Sequence, residues 1–153
     1  MYSFKSKVRY SELDSTGRLS IKSMMDYLQD CSTFQSESLG LGIEYLKKNK
    51  RAWWLASWNI DIISLPGLAE EITVSTNAHG FKGIYGYRNI DLARDCINTK
   101  LKLSNISVWY KKMALLGDVI YPYVVEADDR YIVELNNGQG ATFAYVSMRK
   151  FEE

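Results

Sequence analysis

LSIKSMMDYLQDCSTFQSESLGLG (residues 19–42) leads into AWWLASWNIDIISLPGLAEEITVST (residues 52–76), and these two stretches decide the fold. In the first, apolar side chains recur at Ile21, Met24, Met25, Leu28 and Leu39, the spacing of one helix face. Ser20 suits an N-cap, because its hydroxyl can accept from an otherwise unpaired N–H of the first turn. Gly40 and Gly42 supply the stop. The expected helix has about 19 residues and is about 28 Å long. In the second stretch the period changes. Trp54, Ala56, Trp58, Ile60 and Ile62 alternate with Leu55, Ser57, Asn59 and Asp61, the pattern of a half-buried antiparallel strand over 53–63.

The flanks extend the same reading. Residues 2–12 alternate polar with apolar positions (Phe4, Val8, Tyr10) and read as a first strand, and LDSTGR (13–18) reads as a turn. IEYLKK (43–48) fits one short helical turn. Residues 71–77 put Ile72, Val74 and Thr76 on one strand face, HGFKG (79–83) reads as a turn, and 84–92 is a tyrosine-rich strand. A further strand is expected over 100–112, with Leu101, Leu103, Ile106, Val108 and Trp109. Beyond it, 119–125 reads as a short strand, NNGQG (136–140) as a turn and 141–148 as an edge strand. The fold class is therefore α+β, with a long central helix wrapped by an antiparallel sheet. Burying Trp54, Trp58, Ile60 and Ile62 against Met24, Met25 and Leu28 would contribute about 1.5–3 kcal/mol per side chain.

Composition bounds the function. The chain has 153 residues, so one domain over 1–153 is expected, with 113–153 the hardest part to assign. A net charge of +1 argues against nucleic acid as a partner, since such proteins concentrate basic charge. Cys31 and Cys96 lack metal-ligand or redox spacing, so no metal or cofactor is expected, and two free thiols fit a reducing cytoplasm. The N-terminus has no continuous apolar run, and no stretch approaches the roughly 20 residues needed to span a bilayer.

The helix stripe changes character as it continues through Cys31, Ser32 and Gln35. Either another backbone packs closely there, or this end lines a ligand tunnel. His79, the only histidine, precedes a glycine and reads as a sheet-end residue. Cys31 reads as a buried, inert thiol. The four tryptophans read mainly as core.

The order strand, long helix and several antiparallel strands matches the hotdog fold, and the words go further. VRYSELDSTGRLSIKSMMDYLQDCSTFQSESLGLGIEYL (8–46) resembles the opening of bacterial and plant acyl-acyl carrier protein thioesterases. So do the tryptophan-bearing segment 52–76, Tyr87-Arg88-Asn89-Ile90, and Ser107-Val108-Trp109. The resemblance is continuous over about 8–92 and patchy beyond. Residues 93–102 depart from the family's polar hairpin, and the register around 113–123 is unusual; divergence and a local frameshift both account for this. Family members are typically tandems of two hotdog repeats, with the catalytic Asn and His in the second. No counterpart to that set is found here, and the tail YVSMRKF (145–151) resembles the inter-repeat linker.

The resemblance implies hydrolysis of fatty acyl-acyl carrier protein thioesters to free fatty acid in fatty acid biosynthesis, with acyl carrier protein or an acyl-CoA thioester as partner. Asp14 stands where single-repeat hotdog thioesterases carry a catalytic Asp, although Arg18 and Ser20 replace the His and Asn that follow there. Otherwise Asp14 simply closes a turn. Backbone N–H groups at 17–20 would stabilise the oxyanion. Gly17, Met24, Met25, Leu28, Ser32, Gln35, Trp54 and Trp58 would bind substrate. A lone hotdog leaves a sheet edge open, so a homodimer joined edge to edge is expected. The alternatives are an inactive acyl-binding module equivalent to the first half of a tandem enzyme and, less favoured, a dehydratase or regulatory acyl-CoA binder.

Overall fold

A computed structural model describes residues 1–82, 85–94 and 103–150. In chain order the elements are β1 (Tyr2–Lys7), a 3-10 turn (Tyr10–Glu12), α1 (Ile21–Ser38), α2 (Ile43–Lys48), β2 (Ser57–Asp61), β3 (Glu71–Lys82) and β4 (Tyr85–Arg94). β5 (Leu103–Tyr110), β6 (Tyr121–Glu126), β7 (Arg130–Asn136) and β8 (Thr142–Lys150) follow. They fall into two compact units, Met1–Trp53 with Leu65–Asn98, and Trp54–Ser64 with Thr99–Glu153. The turn at Gly83, the start of the strand at Lys100 and Leu101, the loop cysteine Cys96, the departure over 95–102 and Phe151 lie outside the described residues.

In the first unit the antiparallel sheet runs β1-β3-β4 and α1 packs on it. Ser20 caps the helix as expected, its Oγ accepting from Ser23 N at 3.1 Å. Gly40 takes φ +71°, a left-handed stop that suits glycine. Gly42 does not stop α1 but caps α2. The buried stripe is Met24, Tyr27, Leu28, Cys31 and Gln35, with Ser36 beside it. It meets Ile72, Val74 and Thr76 of β3, each at most 1% exposed. Phe4 stacks near Tyr27 and Phe34, at 6.3 and 5.6 Å between centroids.

Several expectations are corrected here. Leu39 is 61% exposed, because α1 has ended before it, whereas Tyr27, outside the expected stripe, is buried. β1 ends at Lys7, so Val8 is buried at its end while Tyr10, in the 3-10 turn, is exposed. β3 runs through His79 and Gly80, absorbing them as a register shift between Ala78 and Gly80 instead of turning.

In the second unit the order is β2-β5-β8-β7-β6, all antiparallel. Ile60, Ile106, Val108 and Ala144 are buried on one face. On the opposite face Asn105 and Ser107 donate to Asn59 and Asp61, at 2.7 to 3.1 Å. β2 is shorter than the alternation suggested. Trp54 precedes it and is 53% exposed, so it does not take the inward place assigned to it. Residues 113–150, the hardest to assign from sequence, contribute three strands. β8, expected at an edge, is interior, with β5 and β7 on either side.

Candidate functional site

The turn before α1 is built from its own backbone. Asp14 N donates to Arg18 O at 2.8 Å and Gly17 N to Asp14 O at 3.1 Å, with Gly17 at φ +76°. An isolated bridge joins Leu13 to Leu19, and another joins Arg18 to Gly67. The Asp14 carboxylate is exposed. Its Oδ1 accepts from Thr16 Oγ1 at 2.6 Å, Thr16 N at 2.8 Å and Arg18 N at 3.3 Å. The hydroxyl of Thr16, followed by the two amides, holds this carboxyl below its ordinary value. All three bonds fall on Oδ1; Oδ2 receives none of them.

The amides expected to stabilise an oxyanion are already engaged. Gly17 N donates to Asp14 O, Arg18 N to Asp14 Oδ1, Leu19 N to Pro66 O and Ser20 N to Glu12 O. Ser20 Oγ takes Ser23 N. In the first turn of α1 this leaves the Ile21 and Lys22 amides with no partner assigned among the described residues, at the positive end of the helix dipole.

Farther along α1, Met24 and Leu28 are buried and Met25 is half-buried. The change to smaller residues has a physical reason. Cys31, fully buried, sets its thiol 3.5 Å from the Val74 carbonyl, so the β3 backbone comes close to the helix. Burial pushes this thiol up, away from a nucleophilic thiolate. One residue on, Arg88 of β4 donates from one guanidinium nitrogen to both Ser32 O and Ser32 Oγ, each at 2.8 Å. Burial lowers the pKa of this guanidinium, and among the described residues no carboxylate pairs with it. Gln35 is 6% exposed, and its Oε1 is buried without a donor among the described residues.

Thus Asp14 and Gly17 share one turn, and Met24, Met25, Leu28, Ser32 and Gln35 share α1, the last two on its polar end. Trp54 and Trp58 belong to the second unit. Trp58 is half-buried there, its indole N–H lacking an acceptor among the described residues. His79 is exposed on β3. Arg88 was visible in the sequence only as part of a strand motif. A lone cation inside a tyrosine-rich strand was the signal for it. A groove of about 500 Å³ opens on the second unit, lined in part by Trp109, Lys111, Arg130, Ile132 and Tyr145. Arg130 there is already paired with Asp129 at 2.6 Å, so the groove presents aromatic surface and no reactive pair.

The family model for the acyl-ACP thioesterase N-terminal domain matches residues 1–110, which include the Asp14 turn, α1 and Arg88. The chain belongs to this family. Among solved structures it is similar to an acyl-ACP thioesterase from Bacteroides thetaiotaomicron VPI-5482, with a TM-score of 0.85 at 11% identity over 97% of each chain. It is also similar to the 12:0-ACP thioesterase from Umbellularia californica, with a TM-score of 0.74 at 9% identity over 99% of this chain and 94% of that one. The fold is the hotdog, as the sequence implied. No curated protein matches the sequence. Among the described residues no helix is long and apolar enough to cross a membrane, and no cluster of three potential metal ligands occurs.

Proposed function

We propose that this chain hydrolyses fatty acyl thioesters of acyl carrier protein, or of coenzyme A, to free fatty acids in fatty acid biosynthesis. It acts in the cytoplasm as a homodimer, with no metal or cofactor. The observation that carries the reading is the family match over residues 1–110, the stretch that holds the Asp14 turn and α1. The Asp14 carboxylate, through its uncommitted Oδ2, takes a proton from water. The water oxygen bonds to the acyl carbon, the C–S bond breaks, and the departing thiolate takes up the proton. The Ile21 or Lys22 amide supports the oxyanion in place of the committed 17–20 donors. The acyl chain lies along Met24, Met25 and Leu28 toward Ser32 and Gln35.

A specific observation favours a second reading, an inactive acyl-holding module. Three donors on Asp14 Oδ1 weaken that carboxylate as a base, and the nearest amides are already engaged. Thiol release from acyl-carrier-protein thioesters separates the two. Wild type is expected to release thiol, and Asp14→Asn to lose that activity while keeping the turn, because an amide oxygen still accepts from Thr16 and Arg18. Acyl binding without release would establish the module instead. Release undiminished in Asp14→Asn would remove Asp14 from the chemistry. The pH profile carries a sign. The folded pKa lies below the ordinary 3.8, so the basic form persists above it and activity falls only as pH drops through that depressed value.

A further inference from the structure

We propose that the connection between β5 and β6, residues 111–120, docks the protein on an anionic lipid surface. The inference goes beyond the hydrolysis reading and does not depend on it. β5 and β6 are not neighbours, since β8 and β7 lie between them, and every step of the sheet is antiparallel. The end of β5 and the start of β6 therefore lie at the same end of the sheet, and 111–120 joins them there. All of these residues are exposed. Met113, Leu115 and Val119 are more than half exposed, Ile120 nearly half, and Leu116 wholly so.

The connection has a fixed form. At its base the Lys111 and Lys112 amides both donate to the carbonyl of buried Phe143, at 2.8 and 3.2 Å. At its tip Asp118 N donates to Leu115 O at 3.0 Å and Leu115 N donates to Asp118 Oδ2 at 2.7 Å. Gly117 completes this turn at φ +98°. A turn closed by its own polar groups does not need its apolar side chains for folding. It holds Leu115 and Leu116 out in water, where a cluster of large apolar side chains marks a contact surface.

Charge and aromatic placement choose the occupant. Asp118 is the only acid in 111–120, and its carboxylate is committed to the turn, whereas Lys111 and Lys112 stand at the base. Exposed rings bracket the apolar tip, Trp109 and Tyr110 before it, Tyr121 and Tyr123 after it. An apolar tip followed by lysines and aromatic rings repeats the layering of a bilayer from hydrocarbon to headgroup. The lysines complement anionic headgroups. A second copy meeting this tip across a twofold axis would instead bring both lysine pairs to one seam. The run MALLGDVI (113–120) falls far short of the roughly 20 residues that span a bilayer, so the tip enters one leaflet only.

The test is flotation of the full chain with vesicles of equal parts phosphatidylglycerol and phosphatidylcholine, against vesicles of phosphatidylcholine alone. Wild type is expected to float with the anionic vesicles, less with the neutral ones, and less as salt rises. Leu116→Asp is expected to weaken binding about tenfold or more with circular dichroism unchanged. Val119→Asp should do the same and decides the matter should the first variant unfold. Lys111→Gln combined with Lys112→Gln should remove the preference for anionic vesicles. Wild type that floats with neither vesicle, binding undiminished in the folded aspartate variants, or an anionic preference that survives the lysine changes overturns the proposal. A sedimentation mass that Leu116→Asp halves, without flotation, gives the tip to a second copy and overturns it as well. Thiol release is assayed without vesicles, so the hydrolysis reading stands or falls separately.

Discussion

At the scale of residues, two partly buried polar contacts define the helix seam. The Arg88 guanidinium is desolvated and bridges Ser32 O and Ser32 Oγ, which ties α1 to β4 at mid-helix. Arg88→Leu removes this donor and leaves both oxygens in a partly buried seam, and the expected loss is about 1–3 kcal/mol in urea denaturation. Arg88→Lys keeps the charge without the planar fork and should recover only part of that loss. Equal stability of the leucine variant and wild type would show that the contact contributes nothing. Little of this pairing was legible in the sequence. Arg88 stood out only as a motif letter, because a strand's side-chain partner across a helix is set by tertiary register. Asp14 was legible both as a turn former and as a carboxylate of interest. What the sequence could not say is that its Oδ1 already takes three donors.

At the scale of elements, α1 was the most legible. Ser20, Met24, Leu28 and Gly40 carry local signals that packing did not override. Ser20→Ala removes the hydroxyl that takes Ser23 N and is expected to cost about 1 kcal/mol. Gly40→Ala places a side chain at φ +71° and should cost a similar amount. Thermal unfolding checks both, and an unchanged midpoint for either would remove that cap from the account. β7 was missed because Ile132 and Val133 sit side by side in RYIVELN and break the alternation. β8 was placed at an edge because pairing partners are not written in a strand's own residues. The glycine after His79 read as a turn, yet it marks a bulge in a continuous strand.

At the scale of the whole molecule, composition indicated an ordinary globular chain, and the described residues form two compact units, each with its own buried apolar face. The order strand, helix and sheet, with motifs in sequence, was enough to name the hotdog family. The apolar stripe of α1 is the feature on which the lipid-handling reading stands. A fatty acyl thioester carrying a photoreactive diazirine near the end of its chain tests that reading most directly. After irradiation and peptide mapping, the label is expected within α1, at Met24, Met25, Leu28 or their neighbours toward Gln35. Saturable labelling confined to the second unit's aromatic groove, or no saturable labelling of folded protein, would contradict it.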